Sequence, residues 1–287
     1  MQAVTIVSGT AVPLDRSDVD ADQIIPSDWL KKVERTGFGR GLFSEWRDDR
    51  DFVLNDERYA GASVLVAGPK DHGAGEHDYP AWQQVWLRLL PLAPRTVVDA
   101  AWDFPSAEQI DNADVLVFYQ RGRWDDERAA AIDPFLARGG GCVYIHWAVD
   151  GRGGQEEFAK RIGLASLGGA VKDPPGPLDV DFSPGQGHPL APHLTRVKWV
   201  DETYWQLTGD PARLNLIATQ EEDGEPQPLF WTMEHGRGRV FVSIPGHYMW
   251  TFDDPAFRLL LLRGIAWAGH RNVDRFNDLV TLDARME

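Results

Sequence analysis

The sequence predicts an α/β protein built on a mostly parallel sheet with helices over both faces. Three observations carry that expectation. Strand-like and helix-like runs alternate from about residue 60 to the last helix. The strand 114–119 is continuously apolar, as a strand covered on both sides should be. Glycines and prolines punctuate the boundaries between runs. Such alternation implies βαβ units with right-handed crossovers.

Taken in order, the run 62–68 (ASVLVAG) reads as a strand that opens into a glycine-rich turn. A helix follows from Pro80, with Trp82, Val85, Trp86, Leu89 and Leu90 at helical spacing, and Pro80 suits its first turn. A short strand is expected near Thr96–Asp99, then one over 114–119. From Asp125 a helix puts Ala129, Ile132, Phe135 and Leu136 on one face, with Gly139 as its stop and Pro134 as a candidate kink. Residues 142–149 form the next strand, and Glu156–Ile162 a short helix closed by Gly163. Four prolines mark 170–187 as a loop, with a strand at Leu178–Phe182. Strands are expected at 196–200, 215–219, 228–232 and 239–244. The last helix starts at Asp253/Asp254-Pro255 and buries Phe257, Leu260, Leu261, Gly264, Ile265 and Ala268. The head of the chain is sparser: a strand at Val4–Ser8, a turn or short helix at Ser27–Leu30, and a strand or turn at 52–59. The head is expected to stay peripheral, with 62–68 inside the sheet of the later domain.

Composition narrows the function classes. A net charge of −15 argues against nucleic acid and anionic membrane, whose phosphates reward Lys and Arg. No apolar run reaches the roughly 18 residues of a bilayer span. One cysteine excludes an internal disulfide, and the first residues lack a signal-peptide pattern, so a cytoplasmic location is expected. Twelve tryptophans supply core, and aromatic faces also suit sugars.

The chemistry concentrates at strand ends. Residues 72–79 (HGAGEHDY) place His72, Glu76, His77 and Asp78 just after the strand 62–68, where α/β proteins build ligand sites. The bland reading, a polar turn capping the next helix, covers one or two of these residues but not four. His146 ends the apolar strand that starts at Cys142, His247 follows the strand 239–244 with Gly246 beside it, and Glu202 follows the strand 196–200. For a lone histidine, core packing is the usual role, against which stands the place of His146 at a carboxyl strand end. His146, His247, Glu76 and Glu202 are the catalytic candidates. His72, His77, His146 and His247 are the candidate ligands of a divalent metal, Zn or Mn. Metal-free proton transfer by imidazole and carboxylate suits the same residues, and no HExxH or CxxC spacing decides between the two. His72, Asp78, Tyr79, Trp147, Tyr204 and Trp250 are candidate substrate contacts, with core packing as the alternative for each aromatic.

Two resemblances divide the chain. Residues 1–68 carry VPLDRSDVDADQIIP, RTGFGRGLF and FVLNDERY, and resemble the amino-terminal part of the small subunit of 3-isopropylmalate dehydratase, an aconitase-like swivelling domain. That family continues into a Ser-Ser-Arg-Glu-His loop for substrate carboxylates; here Pro69 to His77 stands in its place without Ser-Ser-Arg. From about 62 to 276 the chain resembles the ThuA-like (trehalose utilisation) family, through 72–83, 113–119, 135–150, DETYW at 201–205, and 236–270. The organisation is therefore that of a chimera: a truncated head over 1–61, a ThuA-like domain over 62–276 and a tail over 277–287.

The second resemblance implies a flavodoxin-like fold related to class I glutamine amidotransferases. It does not imply glutaminase chemistry, because no cysteine occupies the strand-to-helix elbow at His146, and Cys142 lies inside the strand. It implies action on a keto sugar or keto-glycoside in disaccharide use, with a small carbohydrate as partner and a homo-oligomer compatible with it. Two alternatives stand beside it. One is the dehydratase small subunit, which needs a large-subunit partner and is expected to be inactive without the Ser-Ser-Arg loop. The other is a non-catalytic sugar-binding protein.

Overall fold

The computed structural model describes residues 11–14, 24–31, 38–50, 52–59, 64–67, 72–73, 75–101, 103–167, 172 and 174–284. The strand expected at Val4–Ser8 lies outside the described residues. The chain divides into two compact units, Met1–Ala74 and Gly75–Glu287.

In the first unit, β1 (Ala11–Leu14) pairs in parallel with β2 (Val64–Ala67), with Ala11 opposite Val64 and Leu14 opposite Ala67. A short helix, α1, spans Ser27–Leu30. Leu14, Phe43 and Phe52 form a small buried cluster, with Ile24, Trp46, Val53 and Leu54 packed on it. The pairing of β2 corrects the expectation that 62–68 lies in the larger sheet. An apolar run reports that a strand will form. Which edge accepts its hydrogen bonds is a non-local choice that the run does not encode.

The second unit opens with α2 (Tyr79–Leu89), capped by the Asp78 carboxylate, which accepts the Ala81 N–H at 3.0 Å. The helix α3 (Ala107–Asn112) begins in a reciprocal capping box between Ser106 and Gln109. Strand β3 (Val115–Phe118) leads to α4 (Asp126–Ala137), which continues through Pro134. Strand β4 (Gly141–Ile145) leads to α5 (Gln155–Ile162), closed by Gly163 at φ 94°. Short β5 (Leu164–Ala165), then β6 (Pro175–Asp181), β7 (Arg196–Glu202), short β8 (Thr208–Gly209), β9 (Asn215–Glu222), β10 (Glu225–His235) and β11 (Gly238–Ser243) precede α6 (Pro255–Ala268). No strand forms at Thr96–Asp99, contrary to expectation.

Seven strands make one sheet in the order β3-β4-β11-β10-β9-β6-β7. Only β3, β4 and β11 run parallel; every other pair is antiparallel. The sheet is therefore mixed, which corrects the mostly parallel expectation. The reason is local. β9 turns into β10 through Asp223-Gly224 and β10 into β11 through Gly236-Arg237, links too short for anything but an antiparallel return. Asp223, Gly224 and Gly236 all take positive φ, as tight hairpins require.

Helices cover both faces. A methyl group on Gly264 of α6 would collide with the Phe241 ring, while Trp231 donates its indole N–H to the Ile162 carbonyl of α5. Trp231 pairs with Val242, so Trp231 and Phe241 point to opposite faces. Burial of Trp231, Phe230, Phe241, Phe257, Ile145 and Leu260 fixes the core between these layers. Among the described residues no helix is long and apolar enough to cross a membrane.

Candidate functional site

Three segments of the second unit carry histidines to one point. Strand β4 is buried along its whole length and stops at Ile145, and His146 opens the single turn His146–Val149. His247 follows β11 through Pro245-Gly246, with Gly246 at φ 137°. Only glycine fits there: a Cβ would come within 2.8 Å of Ile145 Cγ2 and 3.4 Å of His146 Cβ. His77 precedes α2, and its N–H donates to the His247 carbonyl at 2.9 Å. Glu202, the last residue of β7, adds a carboxylate.

The donor atoms converge. His146 Nε2 lies 2.8 Å from His77 Nε2, 3.2 Å from His247 Nδ1, 3.2 Å from Glu202 Oε2 and 2.9 Å from the Tyr204 hydroxyl. Glu202 Oε2 is 3.3 Å from His247 Nδ1. The second nitrogen of His146 fixes its tautomer. Nδ1 sits 2.8 Å from the Ile244 carbonyl, which only accepts, so Nδ1 carries a hydrogen and Nε2 is the nitrogen that faces the centre, a donor to Glu202 when the ring is protonated and a lone pair for a cation when it is not. Both His146 (φ 55°) and His77 (φ 46°) hold left-handed backbone, an uncommon and strained state for a non-glycine residue and one that concentrates at functional sites.

His77, His146, His247 and Glu202 are all buried, and one atom from each lies within 4.8 Å of the others. Tetrahedral bonds of about 2.0–2.1 Å place neighbouring ligand atoms about 3.3 Å apart, close to most of these separations. The group fits a divalent ion in size and in donor chemistry. Burial pushes the Glu202 carboxyl up, but hydrogen bonds and charge from His146 and His247 outweigh that and hold it well below its ordinary range. Burial lowers His247, and contact with Glu202, with the charges of Asp201 and Glu76 behind it, raises it on balance.

The converging group and the four histidines expected as metal ligands differ by one member. His72 belongs to the first unit and is not in the group, whereas Glu202, expected only as a catalytic carboxylate, is. A shared sequence turn does not make two histidines converge; His77 is tied to His247 through its backbone N–H. Glu76 stands at the rim, with Oε1 3.7 Å from His247 Nε2. Asp78 spends its carboxylate on capping α2. Tyr79 packs edge-on against Tyr119 at 5.0 Å and stacks on His77 at 5.6 Å. Trp147 lies between His77, at 4.9 Å, and the Arg121 guanidinium, 4.2 Å from its ring centre. Tyr204 is buried, its hydroxyl in the centre itself rather than its ring on a substrate face. Trp250 is 40% exposed and stacks on Tyr248 at 4.0 Å, and Tyr248 lies 4.5 Å from His247.

Two residues of the site carry no sequence signal of their own. Asp201 is buried beside Glu202, and Thr251 donates its hydroxyl to it. The acidic pair in DETYW draws the eye to Glu202 alone. A cavity of about 1340 Å³ flanks β3, with Tyr79 and Tyr119 in its wall, but none of the four converging donors lines it.

Comparison with known proteins divides the chain in the same way. Residues 76–268 match the family model described as ThuA, trehalose utilisation, and residues 1–85 match that described as aconitase C-terminal domain. The 3-isopropylmalate dehydratase small subunit of Parafrankia sp. (strain EAN1pec) is 62% identical over 98 residues, covering 33% of this chain and 49% of that protein. Its counterpart from Streptomyces griseus subsp. griseus is 44% identical over 131 residues, covering 38% and 66%. The chain thus spans about half the length of the first of these relatives. A ThuA-like protein from Parabacteroides merdae has a similar fold, with a TM-score of 0.52 and 21% identity over 67% of this chain and 86% of that one. Another from Bacteroides uniformis gives 0.55 and 16%, over 69% and 88%.

Proposed function

This chain belongs to the ThuA family, and from that premise we propose that it processes a keto sugar or keto-glycoside of disaccharide use at the His77–His146–His247–Glu202 centre. The observation that carries the reading is the buried convergence itself: His146 Nε2, its other nitrogen held by the Ile244 carbonyl, meets two more imidazoles and a carboxylate. That donor set is what a divalent cation such as Zn or Mn takes. When bound, the cation would draw charge from a substrate carbonyl and acidify the adjacent C–H.

The chain's own groups supply the rest. Glu76, 29% exposed at the rim, is placed to accept a substrate proton at Oε1, with His247 Nε2 behind it. Tyr204 holds its hydroxyl in the centre as a hydrogen-bond donor. The exposed Trp250 face, backed by Tyr248, gives a pyranose ring a stacking surface beside His247. We further infer that the three parallel strands descend from a flavodoxin-like, glutamine-amidotransferase-like sheet, and that the protein works in the cytoplasm.

The test incubates 3-keto-trehalose and 3-keto-glucosides with the protein before and after EDTA, then restores Mn or Zn. Turnover lost on chelation and regained on metal addition is expected. Turnover indifferent to EDTA leaves plain His/Glu acid–base catalysis. No turnover of any keto sugar by folded protein overturns the enzymatic reading in favour of a sugar-binding protein.

The 62% identity of the head supports a second reading, in which the first unit docks as a small subunit on a dehydratase large subunit. Failure to co-purify with such a large subunit would remove it.

A further inference from the structure

The four donors come from separate segments, so their convergence needs something that ties those segments together. Asp201 sits on β7 immediately before Glu202 and is fully buried. Its Oδ1 accepts three backbone N–H groups: Glu202 at 2.8 Å, Gly246 at 3.0 Å and His247 at 3.0 Å. Its Oδ2 accepts the Thr251 hydroxyl. Among the described residues no lysine or arginine pairs with it, so these four donors satisfy a carboxylate that burial would otherwise make costly. The positive φ of Gly246 turns two successive N–H groups toward one oxygen, and Tyr119 secures the same glycine by donating to its carbonyl at 2.8 Å. His247 in turn accepts the His77 N–H.

We propose that Asp201 is a positioning residue that sets the donor geometry of the centre, fixing Glu202 and His247 directly and His77 through the His247 carbonyl. This rests on the reading of the four-residue group as a metal site. A carboxylate that merely capped a loop would satisfy the same hydrogen bonds, but metal affinity would not depend on it. Groups that orient ligands from behind typically alter metal affinity by about 10–100-fold when lost.

The experiment measures Co(II) and Zn(II) affinity by chelator competition, together with the Co(II) absorption spectrum and the melting temperature of the metal-free chain. It compares wild type, Asp201→Ala, Asp201→Asn and Thr251→Val. Asp201→Ala is expected to weaken binding about 10–100-fold and to change the Co(II) spectrum. Asp201→Asn keeps an acceptor oxygen and should fall between it and wild type, and Thr251→Val should do less. Wild-type affinity and spectrum in a folded Asp201→Ala overturn the proposal. If that variant does not fold, wild-type values in both Asp201→Asn and Thr251→Val overturn it instead. Should wild type bind no metal, the metal reading fails on its own, and the ring 1H–15N signals of His77 and His247 in metal-free protein decide. Displacement of those signals in Asp201→Asn supports positioning; unchanged signals overturn it.

Discussion

The two units contrast in what supports them. The first carries the high sequence identity to known proteins, yet its described strands are two four-residue runs over a cluster of Leu14, Phe43 and Phe52. The second resembles solved structures at only 16–21% identity, yet it has a seven-stranded sheet, a continuous core and a buried cluster of three histidines and a glutamate. Identity reports descent. A core and a site depend on whether all the strands and loops that close them are present, and the first unit matches only part of its relatives' length.

That contrast can be broken most strongly at the centre itself. His146→Ala should lower keto-sugar turnover by about 10²–10⁴-fold, the usual contribution of a group that moves protons or binds the activating ion. It should also cost about 1–3 kcal/mol of stability, because the Ile244 carbonyl loses its buried donor. A variant that turns over substrate at the wild-type rate would take the chemistry away from the second unit.

Packing gives the next largest effect. Trp231 is fully buried and hydrogen-bonded to Ile162, so Trp231→Ala should cost about 3–5 kcal/mol in denaturant unfolding. Phe43→Ala should cost less, roughly 2 kcal/mol, because a few-residue cluster has more room to relax. Equal losses from the two substitutions would mean that the units are equally well packed.

Acidity should act on the second unit with a defined sign. Glu202 has a folded pKa below its ordinary value of about 4.3, so its stabilisation is present above that pH and is lost as pH falls further. His247 is raised above about 6.5, so its contribution to metal-free protein is complete below that pH and fades as pH rises through the raised value. From these two groups, metal-free stability should peak between roughly pH 4.3 and 6.5. Metal uptake needs neutral His247, so affinity should climb with pH. Thermal melts across pH with and without Zn check both slopes, and a Zn affinity that rises on acidification would contradict the assignment.

The smallest effect is expected from removing the first unit. A 75–287 fragment should keep the metal affinity of the whole chain, since all four donors and Asp201 lie within it. Affinity lost in a folded fragment would show that the units are not independent.

The sequence by itself determined the main helices and strands and named, as candidate metal ligands, three of the four residues that converge. Helical spacing located Tyr79–Leu89, Asp126–Ala137 and Pro255–Ala268, and strand ends pointed to His146, His247 and Glu202, because periodicity and caps are local properties. The hairpin signal at Asp223-Gly224 was also there, and weighing it against the βαβ pattern would have revealed the antiparallel half of the sheet. Only the tertiary structure decided the rest. It gave β2 to β1, put Glu202 with the three histidines, brought the Tyr204 hydroxyl to His146, and set Asp201 behind Glu202 and His247. Each of these joins residues far apart in the chain or turns on how two loops meet. Such choices are fixed by which buried hydrogen bonds can be satisfied together, and no window of sequence contains that information.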